Sequence, residues 1–171
     1  MKTFQQLLIE LNACKDAREW AGDKTIEQVV QECHRGDWLL WLALKVGIEL
    51  QPLTLAKGHC ANTVRHLMTD ERSLKAVDTA IAFGEGKATR KELNEAASAA
   101  SAASAAYAYA YASASAAYAA YAAASYVAAY DAAAASYAAA SANRLQTADI
   151  CRKYIGDLIV KNVNKMLEAK Q

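Results

Sequence analysis

Residues 96–142, AASAASAASAAYAYAYASASAAYAAYAAASYVAAYDAAAASYAAASA, decide the fold class of this chain. The stretch holds 29 Ala, 8 Ser and 8 Tyr among its 47 residues, and it contains no Gly, Pro or Leu. Alanine loses no side-chain entropy in a helix, so this composition predicts helix throughout. Because alanine methyl groups bury little area, we expect the tyrosines to be the large packing units.

The tyrosines are expected on two faces of this helix. At about 100° per residue, one face carries Tyr107, Tyr111, Tyr118 and Tyr121. The later tyrosines lie on a second face, which predicts a bend near Ser125. We expect the segment to fold back on the rest of the chain, with Asp131 capping a new helix start.

Short amphipathic helices are predicted for residues 1–95. Capping boxes begin at Thr3, Thr25 and Thr89, each followed three residues later by Gln or Glu. Residues 143–171 predict a C-terminal helix that packs back on the N-terminal half through an apolar stripe of Ile155, Leu158, Ile159, Val163, Met166 and Leu167. The chain is therefore predicted to be all-α, a single-domain multi-helix bundle over residues 1–171.

The centre of the core is expected at residues 38–44 (WLLWLAL), which are apolar on every side. Trp20, Trp38 and Trp41 are predicted as core anchors, and Asp37 as the N-cap of the central helix. The stripe Ile26, Val29, Val30 and Cys33 follows helical spacing and predicts a second buried face.

Charge and cysteine usage narrow the function classes. Lys and Arg number 19 against 18 Asp and Glu, a formal net charge of +1, which argues against a nucleic-acid binder. The weakly apolar Ala-rich segment with its many serines is a poor membrane span. The four widely spaced cysteines indicate thiols rather than a disulfide framework, and no signal peptide is evident. We expect a cytoplasmic protein.

No residue pattern predicts catalysis or a resident cofactor. His34 follows Cys33 and His59 precedes Cys60, but neighbours on a helix diverge, and no C-x2-C or H-x3-H spacing exists. A nucleophile elbow, a P-loop and a dinucleotide-binding glycine motif are also missing. We expect no catalytic residue, no metal and no cofactor.

Charged residues beside the tryptophans are the candidate binding residues. We expect them to form a polar network between N- and C-terminal helices that serves partner binding. Its predicted members are Asp16, Arg18, Glu19, Arg35, Asp37, Asp149 and Arg152. Asp149 and Arg152 are three residues apart on one helical face and are expected to pair.

Residues 13–20 (ACKDAREW) and 35–42 (RGDWLLWL) resemble hallmark segments of a predicted immunity protein family, found in bacterial polymorphic-toxin gene neighbourhoods and phage genomes. The resemblance continues in order through residues 76–81 (AVDTAI), the turn at 84–92 and the Ala-rich tract, and closes at 148–153 (ADICRK). The family usually places arginines in that tract, where this chain has Ser and Tyr. The resemblance implies an all-helical protein that neutralises a cognate toxin by binding it.

Three hypotheses for function follow. The first is a non-enzymatic immunity or inhibitor protein that binds a toxin or effector protein. The alternative is a structural protein that forms a homo-oligomer through its tyrosine face. The third is ice or surface binding, for which Ser98, Ser101 and Ser104 recur at every third position, although later serines leave that face.

Overall fold

A computed structural model describes residues 2–63, 65–67, 70–113 and 143–168, with the backbone alone for residues 67 and 102–113. Within these ranges all regular secondary structure is helical, which confirms the all-α prediction. The helices are α1 (Phe4–Glu10), α2 (Lys15–Ala21), α3 (Ile26–Glu32), α4 (Gly36–Lys45), α5 (Leu50–Asn62), α6 (Glu71–Gly84), α7 (Arg90–Ser113), α8 (residues 143–151) and α9 (Asp157–Glu168). A 3₁₀ turn spans Arg65–Leu67, and a π-helical turn, Arg152–Gly156, joins α8 to α9.

The three predicted capping boxes are present. The Thr3 hydroxyl accepts a hydrogen bond from the Gln6 backbone N–H at 3.2 Å, and the Gln6 side-chain oxygen accepts one from the Thr3 backbone N–H at 2.9 Å. The box at Thr25 starts α3 in the same way, and the box at Thr89 precedes α7. Each box satisfies two backbone N–H groups that a helix start would otherwise leave unpaired.

The core lies where α1 to α5 meet the C-terminal helices. The predicted α3 stripe of Ile26, Val29, Val30 and Cys33 is buried throughout. On the C-terminal side Ile155, Ile159 and Val163 are at most 1% exposed, and α9 packs against α3 and α4. The predicted return of the C-terminal helix to the N-terminal half is thus confirmed, although Leu158, expected in its apolar stripe, is 36% exposed.

Helix α4 is buried on one side only, so the prediction that it is enclosed all round was wrong. Leu39, Leu42 and Ala43 are in the core, whereas Leu44 is 59% exposed. Its outer side is not covered by another described helix, and an apolar composition on every side cannot reveal which face stays open.

The predicted N-cap of α4 is also corrected. The helix begins at Gly36 with Arg35 as its N-cap, and Asp37 is the second helical residue. Asp37 therefore lies inside the first turn, where its carboxylate is bound by the Arg35 guanidinium. Gly36 allows a close approach to α8, since a Cβ there would lie 2.5 Å from the Thr147 hydroxyl.

Helix α6 packs between α5 and α7 and leads into the Ala-rich tract. The tract is helical as predicted through residue 113. Residues 114–142, with the expected bend near Ser125 and the cap at Asp131, lie outside the described residues. Of the helices described, none combines the length and hydropathy that crossing a membrane requires.

Candidate functional site

An apolar pocket of about 390 Å³ opens between α1, α2, α3 and α4. All three predicted core anchors line this pocket, Trp38 and Trp41 from α4 and Trp20 from α2. Its other lining residues are Phe4, Leu8, Asn12, Cys14, Ala17, Ala21, Val29, Cys33, Asp37, Leu39 and Leu42. Cavities of this size and apolar character are the usual form of a binding site in proteins.

The three tryptophans pack against the core without being enclosed by it. Each is half-buried, so each presents part of its indole ring at the surface. The Trp20 and Trp38 ring centroids lie 6.0 Å apart, and the His34 ring completes a triad at 5.7 and 6.2 Å from them. We call the surface formed by Trp20, Trp38, Trp41 and the pocket between them the tryptophan face.

A cation of the chain stacks over each of the three indole rings. Arg35 lies 4.6 Å from the Trp38 centroid, a distance that allows a cation–π contact. The other two pairs are Lys24 over Trp20 at 4.9 Å and Lys45 over Trp41 at 5.9 Å. Three cations therefore border the tryptophan face, of which Arg35 is paired with the Asp37 carboxylate.

Arg35 and Asp37 form a two-pronged ion pair at the start of α4. Arg35 donates from Nε to Asp37 Oδ1 at 3.0 Å and from Nη2 to Oδ2 at 2.5 Å. This bond to Arg35 lowers the pKa of the Asp37 carboxyl and raises the pKa of the Arg35 guanidinium. Asp37 is therefore held as a carboxylate, and the Arg35 guanidinium balances its negative charge.

The predicted pair of Asp149 and Arg152 is present, and Arg152 reaches further. Its Nη2 donates to Asp149 Oδ1 at 2.5 Å, while Nη1 donates to the carbonyl oxygens of Cys33 at 2.7 Å and Val30 at 3.3 Å. Those two carbonyls lie at the C-terminal end of α3, where helical hydrogen bonding runs out. Arg152 thus ties the C-terminal helices to α3.

Cys33 joins the two ion pairs. Its carbonyl accepts from Arg152, and its thiol donates to the Arg35 carbonyl oxygen at 3.4 Å. Burial raises the pKa of the Cys33 thiol, which keeps it protonated and unreactive. Four of the seven predicted network residues are therefore linked through the α3–α4 connector, namely Arg35, Asp37, Asp149 and Arg152.

The α2 members of the predicted network are not brought into it. Within the described ranges Asp16 forms no hydrogen bond, although its charge is near enough to raise the pKa of Arg35. Glu19 is exposed and pairs with Lys15 at 3.6 Å on its own helix. Arg18 is half-buried, and its Nε is shielded from solvent without a hydrogen-bond partner.

The predicted tyrosine face falls outside what the structure describes. Tyr107 and Tyr111 lie on the described backbone of α7, but their side chains are not described. Tyr118 and Tyr121 lie in residues 114–142. The tyrosine face and the oligomer hypothesis built on it remain predictions.

Sequence reasoning missed the pocket and the part that the α3–α4 connector plays in it. In the sequence His34 stands out only as a neighbour of Cys33, whereas the structure places its ring beside Trp20 and Trp38. Among the described residues no group of three His, Cys, Asp or Glu is placed to hold a metal ion. The signal that was available is the spacing of aromatic residues around the connector, with Trp20 before it and Trp38 and Trp41 after it.

Comparison of the chain with protein-family models, with curated proteins and with solved structures finds no match.

Proposed function

We propose that this chain is a non-enzymatic immunity or inhibitor protein that binds a cognate toxin or effector through the tryptophan face. The observation that carries the proposal is the apolar pocket of about 390 Å³ bordered by three half-buried tryptophans. Tryptophan and arginine are the residues most enriched where protein interfaces derive their affinity. The resemblance of residues 13–20 and 35–42 to immunity proteins falls on the segments that build this face.

The charges around the pocket favour an acidic partner segment. Lys24 and Lys45 stack on tryptophans, and within the described residues neither is paired with a carboxylate. Lys24 Nζ already donates a hydrogen bond to the Trp20 backbone carbonyl at 3.0 Å. An occupant with one bulky apolar side chain flanked by Asp or Glu fills the pocket and gives each lysine a carboxylate partner. The proposed occupant is therefore an acidic segment of the toxin with an apolar anchor.

The polar groups of the pocket are suited to binding rather than to bond chemistry. The Cys33 thiol is held protonated by burial, and the Asp37 carboxylate is occupied by Arg35. A nucleophile needs a neighbouring base or a lowered pKa, and a general base needs a free lone pair at the reacting proton. Cys33 has a raised pKa and so does not meet the first requirement, and the lowered pKa of Asp37 makes it a weak base.

Co-purification with proteins encoded by neighbouring genes, followed by a measured Kd, tests the proposal. Ala17 lies in the pocket lining on α2, so Ala17→Phe fills the pocket without removing a tryptophan. We expect this variant to weaken binding at least about tenfold, in line with loss of a central anchor. Leu44→Ser, at an exposed α4 position outside the lining, is the matched control and should bind as the unmodified chain does.

Two results would overturn the proposal. One is the absence of any partner at micromolar concentration among the neighbouring gene products. The other is a partner whose Kd is unchanged by Ala17→Phe while circular dichroism reports a folded variant.

A further inference from the structure

Two thiols from distant parts of the chain lie in contact behind the tryptophan face. The sulfur of Cys60, on α5, is 3.9 Å from the sulfur of Cys151, the last residue of α8, and neither thiol is in a disulfide. Their other contacts are weak hydrogen bonds to backbone oxygens, Cys60 to Thr147 at 3.7 Å and Cys151 to Gly36 at 3.6 Å. Among the described residues, no stronger hydrogen bond fixes either thiol in its present position.

We propose that Cys60 and Cys151 form a site of oxidative modification, at which hydrogen peroxide converts the two thiols into a disulfide joining α5 to α8. In the first step the Cys60 thiolate attacks one peroxide oxygen, which gives a Cys60 sulfenic acid and releases hydroxide. In the second step the Cys151 sulfur attacks the sulfenic sulfur, and the Cys151 proton leaves with the hydroxyl group as water. The released hydroxide takes up the proton that Cys60 lost on ionisation, so that two thiols are oxidised and one peroxide is reduced to two waters.

The order of the two steps follows from exposure. Cys60 is half-buried and accessible to a small oxidant, whereas Cys151 is 0% exposed. The hydrogen bond between the thiols lowers the pKa of Cys60 and, together with burial, raises the pKa of Cys151. Cys60 is therefore the attacking thiolate, and Cys151 resolves the sulfenic acid.

The fold permits the bond with a small movement. A disulfide requires the sulfurs to close from 3.9 Å to about 2.05 Å, a movement of about 2 Å. Helix α5 already packs against the π-helical turn that follows Cys151, so the two cysteines lie on neighbouring elements.

The position of the pair connects it to the start of α4. The Cys151 thiol contacts the Gly36 carbonyl at the first residue of α4, and the next residue, Arg152, holds the Cys33 carbonyl. Oxidation would therefore fix α5 and α8 directly behind the connector that carries Arg35. Among the described residues, the exposed Cys14 forms no hydrogen bond with another thiol.

Peptide mapping tests the proposal. The reduced full chain is treated with hydrogen peroxide, blocked with N-ethylmaleimide and digested with pepsin at acid pH without reductant. We expect a linked pair of peptides containing Cys60 and Cys151, which dithiothreitol separates. Recovery of both residues as maleimide adducts or sulfinic acids, or a link through Cys33 instead, would overturn the proposal.

Variants give a second readout. Cys14→Ser should keep the link, and Cys60→Ser should abolish it and leave Cys151 free to react with maleimide after denaturation. If the Cys60→Ser variant does not fold, Cys60→Ala replaces it in the same experiment. A cross-link to Cys151 that persists in both Cys60 variants would likewise contradict the assignment.

Discussion

Arg152 donates a hydrogen bond from Nη1 to the carbonyl oxygen of Cys33 at 2.7 Å, across 119 residues of sequence. The same nitrogen reaches the Val30 carbonyl at 3.3 Å. A guanidinium at the C-terminal end of a helix satisfies unpaired carbonyls and interacts favourably with the helix dipole. Through this contact the C-terminal helices fix the end of α3, and with it the connector that leads into the tryptophan face.

Replacing Arg152 with Met should destabilise the fold by about 2 kcal/mol, because two buried carbonyls lose a charged donor. Urea denaturation followed by circular dichroism measures the change in the free energy of unfolding. Asp149→Asn is the matched control: Asp149 is 72% exposed, so its ion pair with Arg152 should contribute at most about 0.5 kcal/mol. Equal losses in the two variants would show that the carbonyl contacts do not stabilise the fold.

The buried side of α9 should be far more sensitive to truncation than its outer side. Ile159 is 0% exposed, and Ile159→Ala should cost about 2–5 kcal/mol through lost burial and the cavity left behind. Leu158, its neighbour, is 36% exposed, and Leu158→Ala should cost about 1 kcal/mol or less. Thermal unfolding of both variants checks this, and similar losses would contradict the packing of α9 on α3 and α4.

The acid sensitivity of α6 should depend on Asp70, its N-cap. The Arg72 guanidinium, together with the Arg72 backbone N–H, lowers the pKa of Asp70 from 3.8 to about 2. A lowered folded-state pKa stabilises the fold fully above the unfolded value and loses that effect as pH falls through the folded value. The stability added by Asp70 should therefore disappear between about pH 4 and about pH 2.

The comparison of Asp70 with Asp70→Asn isolates this effect, since Asn also caps helices but does not titrate. We expect the unmodified chain to have the higher melting temperature near neutral pH and the two to converge at about pH 2. A difference that stays constant over that range would show that the ion pair with Arg72 is not formed in solution.

Charge reversal on the tryptophan face should slow association with the partner. Lys45→Glu replaces the cation over Trp41 by an anion, which would repel an acidic partner segment and reduce the association rate several-fold at low salt. Stopped-flow mixing at low and high salt measures this. Lys91→Glu, on α7, is the control. An unchanged or increased rate for Lys45→Glu would argue against an acidic partner segment.

Local features of this fold could be read from the sequence because they depend on residues three or four apart. The three capping boxes, the α3 stripe and the pair of Asp149 with Arg152 all belong to this class. The start of α4 was misplaced by two residues, since Asp37, a residue type that favours N-caps, lies inside the first turn with its carboxylate bound by Arg35.

Contacts between distant residues could not be read in the same way. The bond from Arg152 to Cys33 and the contact of Cys60 with Cys151 depend on how helices meet, which periodicity within one helix does not specify. The tryptophan face was missed for a related reason. Three tryptophans near one connector indicate a core equally well, and only the packing shows that one side of them stays open.

Hydrogen–deuterium exchange of the chain with and without its partner is the most direct test of the tryptophan face as the binding surface. We expect slower exchange on binding in peptides that cover α2 (Lys15–Ala21) and α4 (Gly36–Lys45), with α6 (Glu71–Gly84) unchanged. Protection confined to α6 and α7, with α2 and α4 exchanging as in the free protein, would contradict the proposal.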